Sequence, residues 1–325
     1  MNDDLVSVPS CAEKDTVVAS PPAVTSTKST AGAPLNLDHL DDRIKHLVEA
    51  PLALRIKAIL SDVMIVHSIL LGVLNEIEWL IREPRRQRAR GLVVVGQSGS
   101  GKSAIAEYIQ KKYPADPDVK SEKPRVVAIS LSGARKTKDV LSRVLGATGA
   151  PLSRKLTTAN HELIVVETLR QMNCRLLVLD EANDILQIAE REQIRVLETV
   201  KYLMNTLHMP VLALGTEPAR NAFRADPHLQ ARFEFLDIPS WEPGDDFAEF
   251  LNALERCMPL KLASNLSDGG TQKMLVKVTK GVLSKILERV RFAAVNAAAD
   301  GTERITKEAL KGPISRPNAE ILDAK

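Results

Sequence analysis

Apolar residues change their spacing along this chain, and the changes divide it. Residues 1–35 are rich in Ser, Thr, Ala, Pro and Val and hold neither a helical nor a strand period, which predicts a disordered tail. From there Leu40, Ile44, Leu47 and Val48 recur at helical spacing, with Asp38, Asp41 and Asp42 at the start, where a helix dipole favours anions. Pro51 restarts the chain as a second helical stretch that runs to about Ile81, where Pro84 and the cluster Arg82, Arg85, Arg86, Arg88 and Arg90 interrupt it, with a solvated linker favoured over a second set of DNA phosphate contacts. Five short apolar runs follow, separated by amphipathic segments: Leu92 to Val95, Val126 to Leu131, Leu176 to Leu179, Val211 to Leu214 and Phe233 to Ile238. Continuous apolar runs alternating with helices predict a five-stranded parallel sheet covered by helices, an α/β fold. After Trp241 the strand pattern stops. Phe247, Phe250, Leu251 and Leu254, then Leu283, Ile286, Leu287 and Val290, form helical stripes, and a last short helix starts near Lys307 behind the cap Thr306. The expected organisation is a tail at 1–35, a helical N-terminal extension at 36–90, an α/β domain at 91–240, a small α-helical domain at 241–311 and a flexible tail at 312–325.

Composition narrows the class. Lys and Arg number 44 against 41 Asp and Glu in 325 residues, and 44% of residues are hydrophobic, enough for a buried core. Cys11, Cys174 and Cys257 are odd in number and far apart, which fits neither a disulfide framework nor a paired-cysteine metal site. The longest apolar run, Val63 to Leu74, contains His67 and Ser68 and falls short of the roughly 20 residues that span a bilayer. The N-terminus, with Asp3 and Asp4, lacks the basic start and apolar core of a signal peptide, so a cytoplasmic protein without membrane contact is expected.

Gly96, Gln97, Ser98, Gly99, Ser100, Gly101, Lys102 and Ser103 match GxxxxGK[ST] in full, between a strand and a helix as the mechanism requires. Glycines let backbone N–H groups curl around phosphates at a helix N-terminus, Lys102 reaches the β and γ phosphates of ATP, and Ser103 ligates Mg2+. Asp180 and Glu181 end an apolar strand 78 residues after Lys102. That placement suits Asp180 for Mg2+ and Glu181 for activating water, which points to hydrolysis instead of phosphoryl transfer to a metabolite. Thr216, at the end of the fourth apolar run, is placed to orient that water. Arg232, ahead of the fifth, is a candidate finger for a neighbouring subunit's nucleotide, and Arg224 is the second candidate.

The succession of these motifs before a helical segment resembles an AAA+ ATPase, and more narrowly the TniB/TnsC family of transposition ATPases, nearest to TniB. The narrower resemblance lies in Lys201 to Asn205, Pro210 to Ala219, Leu229 to Phe233, Pro239 to Trp241, Met258 to Leu260 and Thr279 to Leu283, and covers roughly residues 36–311. It implies an AAA+ ATPase domain with a helical lid and a slow, assembly-dependent ATPase. It also implies a homo-oligomer, ring or helical filament, that assembles on double-stranded DNA when ATP is bound. Such a protein recruits a DDE transposase, works with a TniQ-like targeting protein and disassembles on hydrolysis. Two departures stand out. Asn183 occupies a position where the family often has His, and Lys285 stands near the place after the lid glycine, Gly281, where many AAA+ proteins have an arginine that contacts nucleotide.

Net charge alone says little about DNA, but its distribution does. Between Lys120 and Asn160 nine basic residues face two acidic ones. Arg135, Lys136 and Lys138, with Thr137 as a hydroxyl donor, directly follow the second strand and are the expected phosphate contacts on a duplex, without base reading. Eleven aromatics are too few for a single-strand stacking platform. The same fold would also serve a helicase loader, a branch-migration motor, or a nucleotide-dependent scaffold that ignores DNA.

Overall fold

The computed structural model describes residues 36–114, 125–150, 157–313 and 316–318. In chain order the elements are α1 (Asp42–Lys45), α2 (Leu52–Leu60), α3 (Ser68–Arg82), β1 (Gly91–Gly96), α4 (Lys102–Lys112), β2 (Val126–Ser130), α5 (Thr137–Ala147) and α6 (Thr158–Gln171). Then come β3 (Leu176–Asp180), a 3-10 turn at Ala182–Gln187, α7 (Glu190–Leu207), β4 (Val211–Gly215), α8 (Glu217–Arg224), α9 (Pro227–Gln230) and β5 (Phe233–Ile238). Four more helices follow: α10 (Asp245–Arg256), α11 (Gly269–Thr279), α12 (Leu283–Ala299) and α13 (Lys307–Lys311).

All five expected strands form, and every pairing is parallel, in the order β2-β3-β4-β1-β5. Their central members are apolar throughout because helices cover both faces: β1 and β4 are buried along their whole length. Gly91 is required where it stands, since a Cβ there would lie 2.3 Å from the ring of Phe233 on β5. The sheet's core runs from Val93 and Leu177 to Leu141, Val165, Val200, Met204 and Phe223 on the surrounding helices.

The chain divides into two compact units, residues 69–240 and a second made of residues up to 68 together with 241 onward. The helical extension expected at 36–90 is therefore split. Ile56, Ile59 and Ile65 sit in one core with Trp241, Phe247, Leu275, Ile286 and Val290, whereas α3, from Ile69 on, belongs with the sheet. The single helix expected from Pro51 to Ile81 is also broken. Ser61 caps α2 in extended backbone, residues 62–67 leave the helix, and Ile65 buries in the helical core. Helical spacing at 40–48 yields only the one-turn α1, capped by Asp41, whose carboxylate accepts from the Arg43 backbone N–H at 3.0 Å.

Buried Arg55 anchors α2 in the helical unit. Its guanidinium donates to the Pro259 carbonyl at 2.9 and 3.1 Å and forms a two-pronged pair with Glu303. In the same unit Gly281 has φ +67, and a Cβ there would come within 2.2 Å of the Trp241 carbonyl oxygen, so only glycine allows this crossing. Met204, Met209 and His161 are buried as packing residues, His161 with its Nδ1 2.9 Å from the Thr157 carbonyl. The tails at 1–35 and most of 312–325 lie outside the described residues, as do Lys120, Lys123, Arg154 and Lys155 of the basic stretch.

Candidate nucleotide site

Strand direction fixes where the site lies. In a parallel sheet all C-terminal ends share one edge, and that edge carries the loop after β1, the carboxylates ending β3 and the threonine after β4. The loop at 96–101 owes its shape to Gly99 (φ 79°) and Gly101 (φ 92°) in the left-handed region. Gly96 leaves the room that a side chain would take: a Cβ there would lie 2.6 Å from Ser100 Oγ. Gly101 caps α4 without a side-chain acceptor, so the first backbone N–H groups of that helix stay available to an anion.

Lys102 is buried and folds back over the loop, donating to the carbonyls of Gly96 (2.9 Å) and Gln97 (2.8 Å). Burial lowers its pKa, while the charges of Glu181 and Asp180 oppose the shift, which places both carboxylates in its electrostatic neighbourhood. Asp180 accepts from the Glu181 backbone N–H at 2.9 Å. Glu181 itself sits at φ 53°, ψ 41°, a strained conformation for a non-glycine residue that turns the chain sharply out of the strand. Neither carboxylate has an ion-pair partner among the described residues. With the Ser103 hydroxyl they make a hard-oxygen donor set, the chemistry that a divalent cation such as Mg2+ selects.

Thr216 caps α8 without a side-chain bond, and its backbone N–H donates to Asn183 Oδ1 at 3.3 Å. Asn183 also donates to Asp184 at 2.8 Å, so it ties the turn that carries Glu181 to the end of β4. Gly215 makes this approach possible, since a Cβ there would lie 3.1 Å from the Asn183 backbone nitrogen and 2.6 Å from Ala219 Cβ. In the sequence Asn183 stands out only as a departure from the histidine pattern. Its bridging role follows from a contact between separate strands, which no local motif announces.

The structure brings the residues at 96–103, Asp180, Glu181 and Thr216 to one edge of one unit. Lys285 is an exposed residue of α12 in the other unit. Arg232 lies at the opposite edge of the sheet, immediately before β5, with its guanidinium 2.5 Å from Asn205 Oδ1. Register pairs Phe233 with Gly91 and Ile238 with Gly96, so Arg232, one residue before Phe233, stands roughly 20 Å along the strands from the loop of its own subunit. Arg224 stacks 4.8 Å above the Phe235 ring.

Among the expected DNA contacts, Arg135 and Lys136 are exposed and their backbone N–H groups are capped by Asp139 at 2.9 and 3.0 Å. Thr137 departs from expectation. It is 5% exposed because it opens α5 against the sheet core, and its N–H donates to Glu192 at 3.3 Å, so its hydroxyl does not face solvent. The loop at 82–90 departs as well: Arg85 donates to the Leu207 carbonyl at 2.6 Å, which makes the segment an anchored surface and not a loose linker.

A profile of the family described as bacterial TniB protein matches residues 55–243, more than half of the chain. Among solved structures, the Aeropyrum pernix ORC2 protein in its ADPNP-ADP complexes aligns at TM-score 0.54 and 15% identity, over 82% of this chain and 70% of that one. Cdc6p from Pyrobaculum aerophilum aligns at TM-score 0.55 and 18% identity, over 77% and 68%. Drosophila ORC bound to DNA aligns at TM-score 0.53 and 15% identity, over 89% and 69%. No curated protein sequence matches the chain. These likenesses establish the AAA+ P-loop α/β fold with its five-stranded parallel sheet.

Proposed function

The chain belongs to the TniB family, and from that premise we propose that it is an ATP-dependent DNA-binding regulator of transposition. It assembles on duplex DNA in the ATP state, recruits a DDE transposase together with a TniQ-like partner, and comes apart on hydrolysis. One observation carries this reading: the hydrolytic groups are split between the two edges of the sheet. Lys102, Asp180, Glu181 and Thr216 gather at one edge, while Arg232 stands about 20 Å away at the other, too far to serve its own nucleotide. A complete site then needs two subunits, so assembly and hydrolysis are coupled.

In this mechanism the backbone N–H groups of the 96–101 loop and the start of α4 cradle the phosphates, and Lys102 exchanges its loop carbonyls for phosphate oxygens. Ser103 and Asp180 would hold a divalent cation, which would supply charge neutralisation at the phosphates. Glu181 accepts the proton of the attacking water, oriented with the help of the Thr216 hydroxyl. Arg232 of a neighbour stabilises the transition-state charge, a contribution of roughly 10³ to 10⁵ in rate for such fingers. ATP thus strengthens the subunit interface and its loss weakens it. Lys285 is the candidate lid contact to nucleotide, and Arg135, Lys136 and Lys138 are the candidate phosphate contacts on DNA. Drosophila ORC, which shares the fold, is bound to DNA in its structure, and that likeness favours DNA over a purely protein partner.

Fluorescence anisotropy of a random-sequence duplex tests the proposal, with ATP analogue, ADP or no nucleotide, at two salt concentrations. Binding that needs the ATP analogue, steepens with protein concentration and weakens with salt is expected, and Glu181→Gln should hold the DNA-bound state in ATP. A duplex that stays free under every condition while nucleotide binds would assign the protein to a scaffold role instead.

A further inference from the structure

The sheet edge opposite the nucleotide loop is lined with guanidinium groups. Four of the five strands are entered from an arginine: Arg125 before β2, Arg175 before β3, Arg90 before β1 and Arg232 before β5. In the order β2-β3-β4-β1-β5, with strands about 4.8 Å apart, the row spans about 19 Å. The loop at 82–90 thickens it with five arginines against one glutamate.

Two of these side chains fix the loop. Arg85 donates to the carbonyls of Leu207 (2.6 Å) and Cys174 (3.0 Å) and to Asn173 Oδ1 (3.0 Å). Arg175 reaches the other way, to the carbonyls of Ile81 (3.0 Å) and Glu83 (2.8 Å). Each segment clamps the other, and the exposed Arg86 and Arg88 are presented on a held backbone, which lowers the entropy cost of binding. A shallow, solvent-open depression lies here, with Arg85, Arg86, Arg90, Arg175 and His208 on its wall and Glu83 as its one carboxylate.

Carboxylates are too few to neutralise this face. Glu83 pairs with Arg86 (2.5 Å), Glu78 is shared between Arg82 (3.3 Å) and Lys112, and Glu234 pairs with Arg90. Arg85, Arg88 and Arg175 pair with no carboxylate among the described residues. Burial, and then the like charge of Arg175, lower the pKa of Arg85, so the cluster carries a repulsion that an anion relieves. Every cation of the loop is arginine, whose planar fork matches phosphate oxygens. A band of cations along one sheet edge suits a polyanion.

We propose that this edge, with Arg86 and Arg88 as its contacting residues, is a second phosphate-backbone contact for nucleic acid, separate from Arg135 and Lys136 at the opposite edge. It rests on the DNA-binding reading given above. The test is duplex anisotropy on the full chain with ATP analogue over a salt series, for wild type, Arg86→Ala/Arg88→Ala, Arg86→Lys/Arg88→Lys and Arg135→Ala/Lys136→Ala, with thermal melting of each. The alanine pair should melt like wild type, weaken binding roughly tenfold and reduce the salt slope by about 2, while the lysine pair retains most of the slope. Unchanged affinity and slope in the alanine pair, beside a loss in Arg135→Ala/Lys136→Ala, would overturn this proposal and leave the DNA-binding reading standing. No duplex binding by wild type would overturn both. Capture of polyglutamate by wild type but not by the alanine pair, with equal duplex binding, would give the face to an acidic protein and overturn the nucleic-acid assignment.

Discussion

Asn183 is one side chain away from two catalytic candidates, and its energetic importance comes from what it joins. Replacing it by Ala leaves the Thr216 N–H without its acceptor and frees the turn that aims Glu181. Hydrolysis in Asn183→Ala should fall roughly tenfold with nucleotide affinity kept within about twofold, and Asn183→Asp, which keeps an acceptor, should recover part of the loss. Single-turnover rates beside nucleotide titrations separate the two effects, and equal losses in both would reduce Asn183 to a folding residue. His67 makes a different residue-scale case. It stands 4.7 Å from the Trp241 ring and 5.7 Å from that of Phe250, and burial pushes its pKa down to about 4, against the opposing charge of Asp246. Between pH 6.5 and about 4 the unfolded chain binds a proton that the folded chain refuses, so stability falls as pH drops through that window. Denaturant midpoints at pH 7.5 and 5 should show about 2 kcal/mol less stability at the lower pH, a decrement that His67→Phe removes. Lys102, Ser103, Asp180 and Glu181 were legible in the sequence because their chemistry is tied to fixed spacing on adjoining elements. Asn183 and the Arg85 clamp were not, because their partners lie 33 and 122 residues away.

At the scale of elements, the strands were legible because a parallel strand buried on both faces leaves a continuous apolar run, as Val93 to Val95 and Leu176 to Leu179 do. The break between α2 and α3 was not. Val63, Ile65 and Val66 satisfy a helical stripe or an extended connection equally, and only the seat of Ile65 in the helical core decides between them. Arg55 shows what holds α2 in place. Burial raises the pKa of Glu303, but hydrogen bonds and charge from Arg55 more than offset it and hold the carboxyl below its usual value. This contribution is complete above the unfolded value near 4.5 and is lost as pH falls through the lower folded one. Arg55→Ala strands a buried carboxylate and should cost about 3 to 5 kcal/mol in chemical denaturation, while Arg55→Met with Glu303→Leu should lose much less. Equal losses in the two variants would show that the packing of α2, and not the charge pair, fixes this element.

For the whole molecule, the grouping of residues up to 68 with those from 241 onward is what the sequence concealed most fully. Its evidence is non-local, carried by contacts such as Arg55 with Glu303 across 248 residues. The sheet unit is an insertion within the helical one. Synthesis on the ribosome gives this nesting a time axis. Ile56, Ile59 and Ile65 emerge early, yet their core partners from Trp241 to Leu310 are made only after the whole stretch 69–240 has been translated. At about 5 to 20 residues per second, that leaves an apolar helix waiting for roughly 10 to 35 s while the sheet unit folds beside it. The nascent chain therefore passes through a window in which α2 is a ready ligand for a chaperone, and the window closes only when α10 to α12 arrive to cover it.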